Sequence, residues 1–468
     1  MQLLRKILFY LFALLYIIFC PILLMHAFGY IFRLNIEKGV VNTGLISFAT
    51  VPPHAALFLE NRRFTSATPA VIRDLIPGKY RVQLALKGYL PWSETIFVEA
   101  GKATIRDKVI LVPGAWRPQV LLAGKYLSLT PIEETNYLLL AQGQLLKDWV
   151  VYEVKKNLSW PLVEHSSPWS FSIVTSVYKV KRSNYVLIQI SANSKTRYLW
   201  VGLREKENKI QDVTHLITTP ADQAQWDPDE PETIFILQGA ALQKINLATG
   251  TLDPDYSQKV KGYCVRGREV FVLEDNGMMF RMDYDKKLRE PVPLDPALRS
   301  MLSKDSGKGE FNIQSPVKGV FFLQGRQGEI WINLPTYELV RQDARGYAFS
   351  SDAQHALFWK QDQIGILDLS FTHHAYIRGM NRWGSGVSWE FQHGLGIRRA
   401  FFVYGDSHIL FLDKDTLYLL AVAGDTPQAA RRLFDVRENS DIYYWEYRGR
   451  VYYLDCASGN LACVEIVP

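Results

Sequence analysis

Cysteine is scarce in this chain: four among 468 residues, too few to staple a disulfide scaffold. Blocks of Lys or Arg are missing as well. The 53 basic and 47 acidic residues are interspersed and leave a formal charge of only +6, so no nucleic-acid partner is expected. The sequence has no Gly-x-Ser-x-Gly elbow, no phosphate-binding loop and no His-Glu-x-x-His, which removes the usual signs of a nucleophile, a nucleotide site or a zinc centre. Its one adjacent histidine pair is His373-His374, and neighbours on a strand point to opposite faces and cannot share one metal. No loop alternates oxygen ligands as calcium requires. The expectation is a binding or scaffold protein, with no catalytic residues, no metal and no cofactor.

A different absence sets the location. From Ile7 to Phe32 there are 26 residues without a single Asp, Glu, Lys or Arg. As a helix this run would rise about 39 Å, against roughly 30 Å for a bilayer core. It is too long for the apolar core of a cleaved signal peptide, although Ala27-Phe28-Gly29 resembles a cleavage site. Phe19 before Cys20 is the wrong neighbour for a lipidated cysteine. The expected organisation is a short cytoplasmic tail at 1–6, a signal anchor at 7–32 and a linker at 33–43. Arg5, Lys6 and the terminal amine precede the span, which favours a cytoplasmic N-terminus by the positive-inside rule, with the bulk of the chain periplasmic or extracellular. So short a tail leaves no room for an output domain, which argues against a sensor.

The remaining chain, with 13% aromatics and 21% charged residues, reads as globular and rich in strands. At 44–113, Leu45 to Thr50, Ala56 to Leu59 and Tyr80 to Leu86 form short apolar runs. They are broken at Val51-Pro52-Pro53, at Glu60-Asn61-Arg62-Arg63 and at Pro77-Gly78, the pattern of a small antiparallel β-sandwich. Pro52-Pro53-His54-Ala55, Leu57 and Leu59, Thr68-Pro69, Leu75-Ile76-Pro77-Gly78-Lys79-Tyr80 and Gly88-Tyr89 resemble the PEGA family of surface-associated bacterial and archaeal sandwiches. Pro53 and His54 stand where the naming motif has Glu and Gly. Asn61 replaces a customary turn glycine and is the residue that best tolerates positive φ. The resemblance implies a cell-envelope interaction module without catalytic residues; Tyr80 and Tyr89 are expected to pack in its core or rim.

Residues 114–468 look repetitive. Apolar cores recur around Leu139, Leu187, Phe235, Phe271, Phe321, Phe358, Phe411 and Tyr452, at spacings of 36 to 53 residues, the size of a four-stranded propeller blade. Arg266 to Leu273 echoes Arg448 to Leu454. Trp226-Asp227-Pro228-Asp229 and Phe349-Ser350-Ser351-Asp352 lie 123 residues apart, or three repeats of 41. Both resemble the blade-opening turns of TolB-like and WD40-like bacterial propellers. The fold class expected is therefore all-β outside one N-terminal transmembrane helix, with a PEGA-like sandwich and a propeller of seven or eight blades. Seven is favoured, with the terminal strands sharing one blade; a multi-sheet sandwich array is the competing fold.

Trp383, Trp389 and Trp445, in loop-like or strand-start stretches, are the candidate contacts for a sugar or a partner peptide. Blade cores also use Trp, so a packing role stays open. Cys456 and Cys463 flank Ser458-Gly459-Asn460; a symmetric turn would bring them within bridging reach, and a disulfide and two buried thiols both remain open. Acidic pairs such as Glu133-Glu134 and Asp227 with Asp229 read as solvated turns, and Asp413-Lys414-Asp415 as a hairpin. The expected partners are the bilayer through 7–32 and either an envelope protein or a cell-wall polysaccharide. The alternative is a propeller-class hydrolase or lyase acting on carbohydrate, with paired carboxyls in the channel.

Overall fold

Without charge to interrupt it, the first apolar run folds as one helix, Gln2–Ala27, in a computed structural model of the chain. The structure describes residues 2–27, 30–32, 40–179, 183–192, 194–205, 207–217, 221–227, 229–286, 288–304, 311–325, 328–334, 339–369, 387–422 and 430–467. The 19 residues Ile7–Met25 bury nothing against the rest of the chain. They rise about 28 Å, close to the thickness of a hydrocarbon core, so the helix is long and apolar enough to cross a bilayer. Pro21 sits inside the helix and does not end it. The helix stops at Ala27, short of the expected Phe32. Tyr30–Phe32 instead pairs antiparallel with Val40–Asn42, a use suited to aromatic and β-branched residues. That ribbon leads directly into the sandwich.

The sandwich has two sheets. Gly44–Val51 is the centre of a three-stranded one, and Arg62–Ala67, Ala56–Leu59, Gly78–Ala85 and Trp92–Val98 form the other in that order. Burial alternates strictly along Gly44–Val51 and Trp92–Val98, so Ile46, Phe48, Leu57, Val82, Trp92 and Ile96 meet in one core between the sheets. Tyr80 and Tyr89 pack against that core. The sheet is not wholly antiparallel: Gly44–Val51 pairs parallel with Ala103–Ile110. The intervening chain crosses through the other sheet, and only a crossover of that length can join parallel neighbours. His54 and Asn61 both take positive φ, 68° and 64°. The two glycine positions of the PEGA pattern thus keep their left-handed backbone after the glycine is replaced. Gly88, at φ 88°, supplies a third such turn.

Eight four-stranded sheets follow among the described residues, not the favoured seven. Blades one to seven span residues 128–161, 173–212, 223–258, 260–292, 312–343, 346–391 and 397–435. Blade eight combines Tyr443–Trp445, Arg450–Leu454 and Leu461–Glu465 with Gln119–Leu122, which pairs with Leu461–Glu465 as the outermost strand. The terminal strands do share a blade, and that blade is the eighth.

Each of the eight apolar cores read in the sequence is the second strand of one blade. These strands are buried on both sides, which explains why their apolar runs are continuous. Ile234 and Ile236 face blade two while Phe235 and Leu237 face blade four. A separate apolar cluster fills the gap between every neighbouring pair, including Leu129, Leu140, Tyr452 and Leu461 between blades eight and one. The ring is therefore closed and is not an open array of sandwiches. Closure leaves no bare sheet faces.

Among the described residues of the ring, one α-helix interrupts the strands. Pro296–Lys304 is a short helix after blade four. Asp295 caps it, its Oδ1 accepting from the Ala297 N–H at 2.7 Å, and Pro296 occupies the first helical position. Leu298 and Leu302 drop from it into the core between blades four and five. The two blade-opening motifs are the turns between first and second strands of blades three and six. In the first, Asp229 donates its N–H to Asp227 Oδ1 at 2.8 Å; in the second, Gln354 donates to Asp352 Oδ1 at 2.9 Å. The echoing Arg-Gly stretches are the same turn in blades four and eight, with Gly267 and Gly449 left-handed. Asp413-Lys414-Asp415 is a hairpin, as read, with Asp413 paired to Thr416.

Candidate functional site

The first strand of each blade faces the ring axis, and side chains there reach across blades. Gln223 Nε2 donates to the Phe311 carbonyl at 2.8 Å, Gln225 Nε2 to the Tyr263 carbonyl at 3.1 Å and Tyr443 Oη to the Thr135 carbonyl at 2.6 Å. Four charges converge where the chain closes on itself. Arg399 pairs with Asp441 and lies 3.8 Å from Glu133. A β-bulge between Ile397 and Arg399 shifts the register there, and such bulges re-aim side chains. Lys179 feels both Glu133 and Arg399, and burial pushes its ammonium below the ordinary lysine range. Burial lowers the Arg399 guanidinium too.

The four residues come from blades one, two, seven and eight. Two cations balance two carboxylates, so this group locks the seam of the ring. Glu133, read as a solvated turn residue, is a member of it. Its signal in the sequence was too weak to find, because partners 46 to 308 residues away share no local pattern.

Trp389 and Trp445, two of the three expected aromatic contacts, are not gathered at one mouth. Trp389 lies on Val387–Phe391, the outermost strand of blade six, under the Lys360 ammonium at 4.6 Å and against the core between blades five and six. Trp445 is on the innermost strand of blade eight, beside Tyr447 and Tyr452. Trp383 lies outside the described residues, as do His373 and His374. Cys456 and Cys463 are both free thiols. The hairpin pairs Leu454 with Leu461, which places Cys456 within the turn and Cys463 opposite Tyr452. The turn is offset, so the symmetry needed for a bridge is absent. Burial pushes the Cys463 thiol up.

A more exposed aromatic group escaped the sequence reading. In the loop joining blades one and two, Phe171 is 71% exposed, with the Lys147 ammonium 4.2 Å from its ring centroid. Arg197 stacks 5.0 Å from the centroid of Trp169. Backbone bonds from Leu146 to Ser172 and from Lys147 to Ser170, 2.9 and 3.0 Å, fix this loop to the hairpin of blade one. Beside it lies an open depression of about 400 Å³, lined by Lys195, Thr196, Arg197, Asp212, Thr214 and His215. Burial alone would raise the Asp212 carboxyl, but hydrogen bonds from Thr214 and the Arg197 pair outweigh it and hold it below the usual carboxylate range. Ser166-Ser167-Pro168-Trp169 was the available signal: a turn-forming run that ends in an aromatic residue.

This patch and the sandwich occupy opposite faces of the ring. The sandwich touches the turn after the first strand of blade seven, where Lys108 Nζ donates to the Gly405 carbonyl at 3.3 Å. Ile110 and Val112 continue into the core between blades seven and eight. The patch is built from connections at the other end of the strands.

Solved structures similar in fold to this chain include three propellers. They are the β-propeller domain of Cps50 (Swd1) from Myceliophteria thermophila (11% identity, TM-score 0.43, 75% of this chain and 99% of that one), BamB from Moraxella catarrhalis (10%, 0.45, 75% and 100%) and the Dos1 propeller (10%, 0.47, 75% and 94%). No curated protein matches the sequence. Residues 43–111 match the PEGA domain, so the chain joins a PEGA domain to an eight-bladed β-propeller.

Proposed function

We propose that this protein is a membrane-tethered scaffold of the bacterial cell envelope, which holds its propeller outside the cytoplasm to bind another envelope component. The observation that carries the reading is the placement of the far-face patch. The apolar helix leads through a short ribbon into the PEGA domain, and the PEGA domain abuts one face of the ring. The opposite face carries Phe171, Trp169, Lys147 and Arg197 around an open depression. Aromatic rings with cations beside them are suited to anchoring a partner surface.

A non-enzymatic role fits the chemistry at the axis. Glu133 and Asp441 both meet Arg399, so these two carboxyls are engaged in an ion-paired seam and are not left as a free pair for glycoside cleavage. The test has two arms. In intact spheroplasts, added protease should digest the propeller; full protection would overturn the proposed location. A photo-crosslinker replacing Phe171 should capture an envelope protein or polymer more strongly than one replacing Tyr447 near the PEGA face. Equal or absent capture would overturn the assignment of the face.

A further inference from the structure

A two-stranded ribbon stands alone between the helix and the sandwich. Among the described residues, Tyr30–Phe32 and Val40–Asn42 pair only with each other, and neither joins a sheet of the sandwich. Five of the six residues are apolar or aromatic: Tyr30, Ile31, Phe32, Val40 and Val41. Tyr30 is 39% exposed, and the sandwich core includes neither Tyr30 nor Val41. An isolated pair of strands is marginal in water, because it has no third strand or helix on which to bury a face. Apolar residues left in water add to that cost. The ribbon needs a cover that the described residues do not supply.

Its place in the chain says what the cover is. The apolar span ends at Met25, and Ala27 closes the helix about 3 Å further on. Tyr30 follows three residues later, at most about 11 Å away along an extended chain. The headgroup layer beside a hydrocarbon core is roughly 5–7 Å deep, so a helix set across a bilayer delivers the ribbon to that layer. Tyrosine is favoured there, with an apolar ring and a hydroxyl that reaches water. The returning strand ends against the sandwich's turn at Glu99 to Lys102. Gly101 donates its N–H to the Thr43 carbonyl at 3.0 Å, and a Cβ on Gly101 would meet the Asn42 side chain at 3.3 Å. Ribbon and sandwich base are thus held together.

We propose that this ribbon lies in the interfacial layer of the bilayer, as a second contact with lipid beside the span. Apolar and aromatic residues, not headgroup charge, supply the attachment. The inference rests on the reading of Gln2–Ala27 as a bilayer span. With the ribbon at the lipid surface, Gly44–Val51 runs from it for about 26 Å to the ring, where Val51 packs against the core between blades seven and eight. The PEGA-side face of the ring then looks at the bilayer.

The experiment uses the full chain in vesicles of phosphatidylethanolamine and phosphatidylglycerol whose acyl chains carry an alkyne. A photo-crosslinker replaces Phe12 in the span, Tyr30 or Val41 in the ribbon, or Leu90, which is 45% exposed at the ring end of the sandwich. Lipid transferred to the protein is read through the alkyne. Phe12, Tyr30 and Val41 should capture lipid at least tenfold more than Leu90. Val41 decides most, because it lies on the returning strand, 14 residues past the end of the helix. Val41→Asp should lower capture at Tyr30 about tenfold, the loss of one buried apolar side chain, and leave capture at Phe12 as it was; Val41→Ile should retain both. Capture at Phe12 but not at Tyr30 and Val41 would overturn the ribbon's role and leave the span standing. Capture at none of the three would remove the span as well. Transfer to a second copy of the chain in place of lipid, capture at Leu90 equal to that at Val41, or a Tyr30 signal indifferent to Val41→Asp would each overturn the proposal.

Discussion

The PEGA domain and the propeller are made of similar strands used in opposite ways. In Gly44–Val51 every second residue is buried, whereas in Thr233–Gln238 five consecutive residues are. The first pattern belongs to a two-sheet body with one shared core. The second belongs to a sheet squeezed between two others, and it makes the ring a relay of contacts in which each blade depends on both neighbours. A small sandwich can lose one face only once; a closed ring has eight interfaces to defend.

The strongest way to break this comparison is to damage each core separately. Phe235→Ala, between blades three and four, and Phe48→Ala, in the sandwich, should each cost about 3–5 kcal/mol. Scanning calorimetry should show two transitions, with Phe48→Ala lowering only the sandwich one and Phe235→Ala only that of the ring. A single transition that moves equally in both variants would mean the shared residues Ile110 and Val112 fuse the two regions into one cooperative unit.

Acid should strike the ring through His408. In the fold, burial and the neighbouring Lys108 and Arg431 cations make it resist protonation down to about 4, while in the unfolded chain it takes a proton near 6.5. Between those values the unfolded chain holds more protons, so stability is level above pH 6.5 and falls as pH drops towards 4, by up to about 3 kcal/mol. His408→Gln should flatten that slope; an unchanged slope would place the acid sensitivity elsewhere.

A smaller loss is expected at the seam. Arg399→Met strands Glu133 and Asp441, and for half-exposed groups the cost should be about 2 kcal/mol, read as earlier urea unfolding of the ring. Adding Glu133→Gln and Asp441→Asn should recover part of it, since the stranded charges are then gone. The mildest test is chemical. Native-state alkylation should label exposed Cys456 readily and spare buried Cys463, with stability changed by less than about 0.5 kcal/mol; a peptide carrying both in a disulfide would contradict the offset hairpin.

Much of this molecule was legible in the residues. The eight apolar cores named all eight second strands, and the 123-residue separation of two turn motifs placed them three blades apart. The count of seven came from treating the shared terminal blade as a merger, when Gln119–Leu122 in fact completes a blade that already had three strands of its own. The helix end was misplaced because Tyr30 to Phe32 is apolar in either state, and only pairing with Val40–Asn42 selects the strand. Of the aromatic candidates, Trp389 and Trp445 sit in strands, where large side chains also serve packing. Phe171 lies in a loop that periodicity cannot score.

Local chemistry decided what each segment became. An uncharged run fixed a helix long enough for a bilayer, alternation fixed the sandwich strands, and unbroken apolar runs fixed strands buried on both faces. The tertiary structure alone decided who meets whom. Arg399 with Glu133 and Lys108 with His408 are brought together across 266 and 300 residues of chain. Those encounters depend on ring closure and domain docking, which are properties of how surfaces fit and leave no period in the sequence.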